Sequence, residues 1–260
     1  MFKRILVCCM VPILVSTVYS QRNVPFSTEE YFGGGIGYTP MFLMLNVAER
    51  YPFNIIDAAA TTTGLLETNT GLGFSESELA ELGDWMIIHG AEGFGNVSGN
   101  WRVGAYVGLG SKSITTVDTA SSLQTDLQVS LMTGNASVEF VIPIFSNLEI
   151  AAGSLFGLSR AMIQFARKVN VPSWEGQFTF TDIDQDNYSV ALSGTFFSFQ
   201  PYVAVKLQFM DRAGLRMSAG YNMGTLEANR WKLNDFGEVQ APSASDFSAL
   251  SVRVMLYLGI

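Results

Sequence analysis

The chain has 260 residues, 48% of them hydrophobic and only 15% charged, with a formal net charge of −8. Such acidity argues against a nucleic-acid partner, whose phosphates call for a basic face. Beyond the first twenty residues there is no run of about twenty apolar residues that could form a membrane-spanning helix.

Lys3 and Arg4, the apolar stretch Ile5 to Val18 and the closing Val18-Tyr19-Ser20 have the layout of a secretory signal peptide cleaved after Ser20. Residues 1–20 are therefore assigned to the signal and 21–260 to the mature domain. Cys8 and Cys9 follow Val7 and lie too early for a lipid attachment site. Cleavage removes both, leaving neither a disulfide framework nor a thiolate metal site. It also removes two bases and no acid, which takes the charge from −8 to −10.

From there the chain reads as alternating segments. A first strand is expected over 31–45, loosened by Gly33-Gly34-Gly35 and Pro40. A long connection, 46–84, contains Ser75-Glu76-Ser77-Glu78, a capping box that predicts a short helix ended by Gly83. Strands follow over 85–95 and 101–116, where Trp101, Val103, Ala105, Val107 and Leu109 oppose Arg102, Gly104, Tyr106, Gly108 and Gly110. The next pair is 123–145 and 148–168, joined at Ser146-Asn147. Leu127, Val129 and Leu131 share one parity, whereas Val138, Phe140 and Ile142 share the other. A bulge at Gly134-Asn135 is the reading that keeps all of them on the outer face; a hairpin turn there, giving ten strands, is the alternative. Strands over 187–210 and 214–227 close on Met210-Asp211-Arg212-Ala213. The last, 248–260, sets Leu250, Val252, Val254, Leu256 and Leu258 against Ser251, Arg253, Met255 and Tyr257.

Unbroken aliphatic residues on one face, with small, polar or charged ones on the other, suit a strand with lipid on one side only. Short links at 96–100, 146–147 and 211–213 alternate with long ones at 46–84, 117–122, 169–186 and 228–247. The expected fold is all-β: an antiparallel, up-and-down transmembrane β-barrel of eight strands, with a short helix in the first long loop. With its signal peptide, glycine-rich walls and aliphatic final strand, the chain over 31–260 resembles small bacterial outer-membrane β-barrel proteins. It departs from them in ending on Ile260, where an aromatic residue is usual. The resemblance implies residence in the bacterial outer membrane, with membrane lipid as a partner.

Six charges fall on the non-aliphatic faces: Arg102, Glu139, Glu149, Lys206, Arg216 and Arg253. Each lies near a short link or the C-terminus, which predicts a paired charge cluster plugging the lower lumen. Trp85, Trp101, Tyr31, Phe145, Phe209 and Tyr257 sit near strand ends and are expected at headgroup level. Trp174 and Trp231, with the acidic tip Asp182, Asp184 and Asp186, are the candidates for recognition of an extracellular ligand or envelope partner through the long loops, although for the two tryptophans packing of loops on one another is the default reading. That acidic run lacks the glycine and the glutamate of a calcium loop, so no metal is assigned. His89 is the only histidine, and no recognised motif ties a serine to it. No cofactor is expected either, since Gly33-Gly34-Gly35-Ile36-Gly37 lacks both the third glycine and the βαβ setting of a dinucleotide site. The preferred function is structural, adhesive or loop-mediated binding with a plugged lumen. A narrow channel for small or apolar solutes ranks second, and a lipid hydrolase at the rim third.

Overall fold

The computed structural model describes residues 34–44, 85–118, 123–145, 147–169, 188–210, 212–239 and 245–259. The expected signal peptide, the expected helix at 75–83, Tyr31, Trp174 and the acidic tip at 182–186 lie outside these residues.

Antiparallel pairing runs once around and closes on itself. The chain opens with β1 (Gly35–Tyr38) and β2 (Met41–Met44), which keep one common register against both neighbours. They are a single barrel strand interrupted at Thr39-Pro40, because proline has no N–H to give the ladder. Next come β3 (Trp85–Ser98), β4 (Trp101–Asp118), β5 (Leu123–Phe145), β6 (Leu148–Val169), β7 (Tyr188–Met210) and β8 (Ala213–Leu226). The last link between β8 and the final strand contains a 3-10 turn (Ala228–Arg230), the small hairpin β9 (Trp231–Leu233) and β10 (Gly237–Val239), and the two-residue β11 (Ser245–Asp246). Finally β12 (Ala249–Gly259) pairs with β8 on one side and with β1 and β2 on the other. Counting β1 and β2 as one, eight strands form the ring.

The aliphatic faces expected to point outward do so: Leu250, Leu256 and Leu258 on β12, Met217 and Met223 on β8, Val203 and Val205 on β7, and Val107 and Leu109 on β4 are exposed. Their neighbours in sequence fill the lumen.

The bulge at Gly134-Asn135 is not there. β5 pairs with β4 from Leu123 to Phe140, and with β6 from Leu123 to Pro143, without a shift. One uninterrupted strand also removes the ten-strand alternative. Leu127, Val129 and Leu131 are buried and point inward, while Gln124, Asp126, Gln128 and Ser130 face out. What changes partway along the strand is the polarity of its two faces, not its register. Below Met132 the exterior is apolar and the lumen polar; above it the exterior is polar and the interior apolar. β4 shows the same inversion, with Leu109 outside below and Ser111, Ser113 and Thr115 outside above, opposite buried Ile114. The strands β4 to β7 are also the longest. They rise beyond β3, β8 and β12 as a wall with the two faces of an ordinary water-soluble sheet.

Candidate functional site

The lumen is layered, and its lowest layer is ionic. β3 to β8 and β12 each contribute one charge: Glu92, Arg102, Glu139, Glu149, Lys206, Arg216 and Arg253, all buried. Register places Arg102 opposite Glu139, and Lys206 opposite both Glu149 and Arg216. The side chains form an alternating line. Arg253 Nη1 donates to Glu92 Oε2 at 3.1 Å, and Arg216 donates to Glu92 and to Glu139. Arg102 Nη1 lies 3.7 Å from Glu139 Oε2, and its Nη2 donates to Glu149 Oε2 at 2.8 Å. Lys206 Nζ donates to Glu149 Oε1 at 3.2 Å. Four cations and three anions thus alternate from Arg253 to Lys206, with one positive charge in excess.

Aromatic rings support this line. Tyr202 donates its hydroxyl to Glu139 Oε1 at 2.6 Å, and Arg253 Cζ stands 4.4 Å from the Tyr202 ring centre. Phe94 carries Arg102 at 4.7 Å and Arg216 at 5.4 Å, and Lys206 Nζ is 5.2 Å from the Tyr257 ring. Tyr257 is therefore a lumen residue, contrary to the expectation that it marks the headgroup level. Its parity on β12 is that of Arg253, which decides its side of the wall. Trp85, Trp101, Phe145 and Phe209 do face outward.

All six charges singled out from sequence lie in this layer, and a seventh, Glu92, was missed. The signal for it lies in the alternation of β3, which turns Glu92 inward with Met86, Ile88 and Phe94.

Above the charges lies a neutral polar belt. Asn135 Nδ2 donates to Thr133 Oγ1 at 2.7 Å, Ser159 bridges Thr133 and Ser198 at 2.9 and 3.0 Å, and Ser198 returns to Asn135 Oδ1 at 2.9 Å. Gln200 Nε2 donates to Ser251 Oγ at 2.7 Å, and Ser251 donates to the Gly220 carbonyl at 3.0 Å. The top layer is apolar: Leu43, Ile88, Leu127, Ile163, Phe196 and Leu226 are buried there. It is covered by the last long connection. Phe247 stacks on Phe196 with ring centres 4.8 Å apart, and Trp231 packs beside Phe247 while donating Nε1–H to Ser245 Oγ at 3.3 Å.

Trp231 is consequently no free recognition residue. It is 2% exposed and serves as the lid of the apolar layer, because an indole has more to gain there than in water. On the outer wall, His89 and Tyr38 stand side by side, with the Tyr38 hydroxyl hydrogen-bonded to His89 Nδ1 at 2.6 Å. No serine, aspartate or glutamate joins that pair among the described residues, so it lacks the parts of a hydrolytic triad.

No known protein family matches the sequence, and no curated protein does. Among solved structures, the chain is similar to the attachment invasion locus protein Ail of Yersinia pestis, solved with the heparin analogue sucrose octasulfate: 9% identity, TM-score 0.37, covering 86% of this chain and 95% of that one. It is similar to the outer membrane protein OprG of Pseudomonas aeruginosa at 8% identity and TM-score 0.41, over 86% and 94% of the two chains. A major outer membrane protein of Thermus thermophilus matches at 8% identity and TM-score 0.38, over 86% and 99%.

At the rim, Asn234 and Asp235 take left-handed φ values of 48° and 63°, as asparagine and aspartate tolerate in tight hairpin turns. The turn joins β9 to β10, with β9 extending the sheet along the upper edge of β7, and lays Asp235 over Arg160. Arg160 Nη2 donates to the Asp235 carboxylate and to Ser193 Oγ at 3.3 Å, and Ser193 donates to Asp235 at 2.6 Å. The Ser193 hydroxyl, then Arg160, hold the Asp235 carboxyl below its ordinary range.

Proposed function

We propose that the protein is an outer-membrane barrel closed to diffusion, whose role is binding at the cell surface through the wall and lid at its long-connection end. The observation that carries this reading is the alternating charge line. Seven buried side chains from seven strands meet across the lower lumen, and a solute would have to break several charge-assisted bonds to pass. An eight-stranded ring leaves room for little besides its own side chains. The apolar exterior below Met132 and the polar exterior above it support a barrel seated in lipid with its tall wall in water. That wall, rigid and raised on one side, is the natural platform for recognition, whereas a bare pore would need no such extension.

Planar-bilayer recording tests the proposal. The protein should insert without giving reproducible ohmic steps. Steady conductance of the native protein would refute the closed lumen and promote the channel reading. That second reading, a route for an apolar solute, draws on one observation: the interior above the polar belt is apolar, and β3 and β4 pair no higher than His89 and Leu109.

A further inference from the structure

Two cavities on the outside of the barrel meet at Arg160 and Thr195. The upper one, about 460 Å³, lies between the wall and the β9–β10 hairpin. Its lining combines Arg160, Arg230 and Lys232 with Asn229, Asp235 and Glu238. The lower one, about 610 Å³, is a groove in the wall whose sides are mainly apolar. It follows two adjacent rows of paired, outward-facing residues. One row runs His89, Leu109, Met132, Arg160, Thr195; the next below runs Ala91, Val107, Gly134, Leu158. Gly134 forms its floor: a Cβ there would meet nothing within 4 Å.

The level of this junction is informative. The row through Leu109, Met132 and Arg160 is the last whose outer residues on β4 and β5 are apolar. One step higher, at Ser111 and Ser130, the exterior becomes polar. Arg160 thus stands where the lipid-facing surface gives way to the water-facing one, the depth at which headgroups lie. A polar pocket with three cations opens above it and an apolar groove leads down from it.

We infer that this composite cavity is a binding site for one lipid, a glycolipid with a phosphate-bearing headgroup. Its acyl chain lies in the groove over Gly134, its phosphate at Arg160, Arg230 and Lys232, and its sugar hydroxyls against Asn229, Asp235 and Glu238. Charge complementarity selects the occupant: Arg160 meets Asp235 and Arg230 meets Glu227 at 3.1 Å in exposed pairs that a phosphate would share. Clustered guanidinium and ammonium groups favour phosphate, while carboxylates and an amide interleaved with them suit sugar hydroxyls better than a bare phosphodiester. The inference rests on the membrane placement proposed above.

Native mass spectrometry of the detergent-solubilised protein provides the test. The probes are a diphosphorylated disaccharide lipid, its dephosphorylated form, and phosphatidylglycerol. The expected result is retention of one diphosphorylated glycolipid, with binding weaker by about tenfold or more for the dephosphorylated form and for Arg160→Gln. Gly134→Ile places its Cβ in open space and its branches in the groove, and should weaken binding comparably while leaving the headgroup pocket intact. Equal retention of all three lipids, or no effect of either substitution, would overturn the site; preference for phosphatidylglycerol would overturn the glycolipid. Flotation of each protein with lipid vesicles separates the two levels of failure. A barrel that floats but binds unselectively refutes only this inference, whereas one that does not float refutes the membrane placement as well.

Discussion

Glu92 is the residue on which the ionic layer can be tested most sharply. It is buried and accepts from two guanidiniums, Arg216 and Arg253, so Glu92→Gln removes one charge but two ion pairs. The seven-charge set then goes from one excess positive charge to two, in a layer whose members are all buried. Breaking one buried pair costs about 3–5 kcal/mol, whereas an exposed pair is worth at most about 1 kcal/mol. The amide oxygen of Gln can still accept one hydrogen bond, which places the expected loss near the lower end, about 3 kcal/mol. Arg253→Met, by contrast, removes the excess charge at the end of the line and should cost less. In the double variant the two should couple, with Arg253→Met relieving part of the Glu92→Gln penalty. Reversible urea unfolding in lipid vesicles, followed by heat-modifiable gel mobility, gives each free energy. A loss below about 1 kcal/mol for Glu92→Gln, or strict additivity of the pair, would refute the view that these charges depend on one another.

Other expectations are checked in the same unfolding assay. Val254→Arg, on the lipid side of β12, should cost about 2–4 kcal/mol if it lies near the midplane. The opposite face is less tolerant than alternation alone suggests: Ser251 is fully buried and bonded to Gln200, so Ser251→Ala should cost about 1 kcal/mol and Ser251→Leu more, by overpacking. Trp231→Ala should cost about 3–5 kcal/mol and speed hydrogen exchange in the amides of β9 and β10; unchanged exchange would mean that the lid is held elsewhere. The Arg160–Asp235 contact depends on a carboxyl whose folded value is lowered, so its contribution is present above about pH 3.8 and lost as pH falls through the lower folded value. Carboxyl NMR should place that titration below the ordinary aspartate range, and Arg160→Gln should move it back up.

Much of the ring was legible in the sequence because lipid on one side and a packed lumen on the other impose a strict two-residue period. Where both contrasts held, as in Leu250 to Leu258 or Leu215 to Met223, the facing was readable directly. Reading failed where the solvent changed along a strand. Leu127 to Leu131 were placed outward because apolar was equated with lipid; above the water line apolar residues belong inside, and the apparent slip was a change of medium. For Trp231 the sequence leaves packing and recognition both open, and burial decides for packing. A loop that returns to cover the lumen is a tertiary event, and nothing in its local sequence distinguishes a lid tryptophan from a free one. For the same reason the link 228–247 is part of the fold, and shortening it would strip the cover from Phe196 rather than merely remove a binding surface.

The interruption at Thr39-Pro40 has a consequence for how the barrel comes together. Neighbouring strands elsewhere are joined by links that range from tight turns to the 40 residues between β2 and β3, so their ladders form between segments far closer in sequence. The junction of β1 and β2 with β12 instead joins Gly37 to Tyr257, residues 220 positions apart. For a free chain, closing a loop of that span would cost about 5 kcal/mol beyond the constant term. That cost shrinks only once the intervening sheet has curled and brought its two margins together. The first and last strands must therefore meet last, along two four-residue ladders parted by a proline that donates nothing. The same seam is where the finished cylinder is easiest to part, so a slow opening of this wall should begin between Tyr38 and Leu256, well away from the long ladders of β5 and β6.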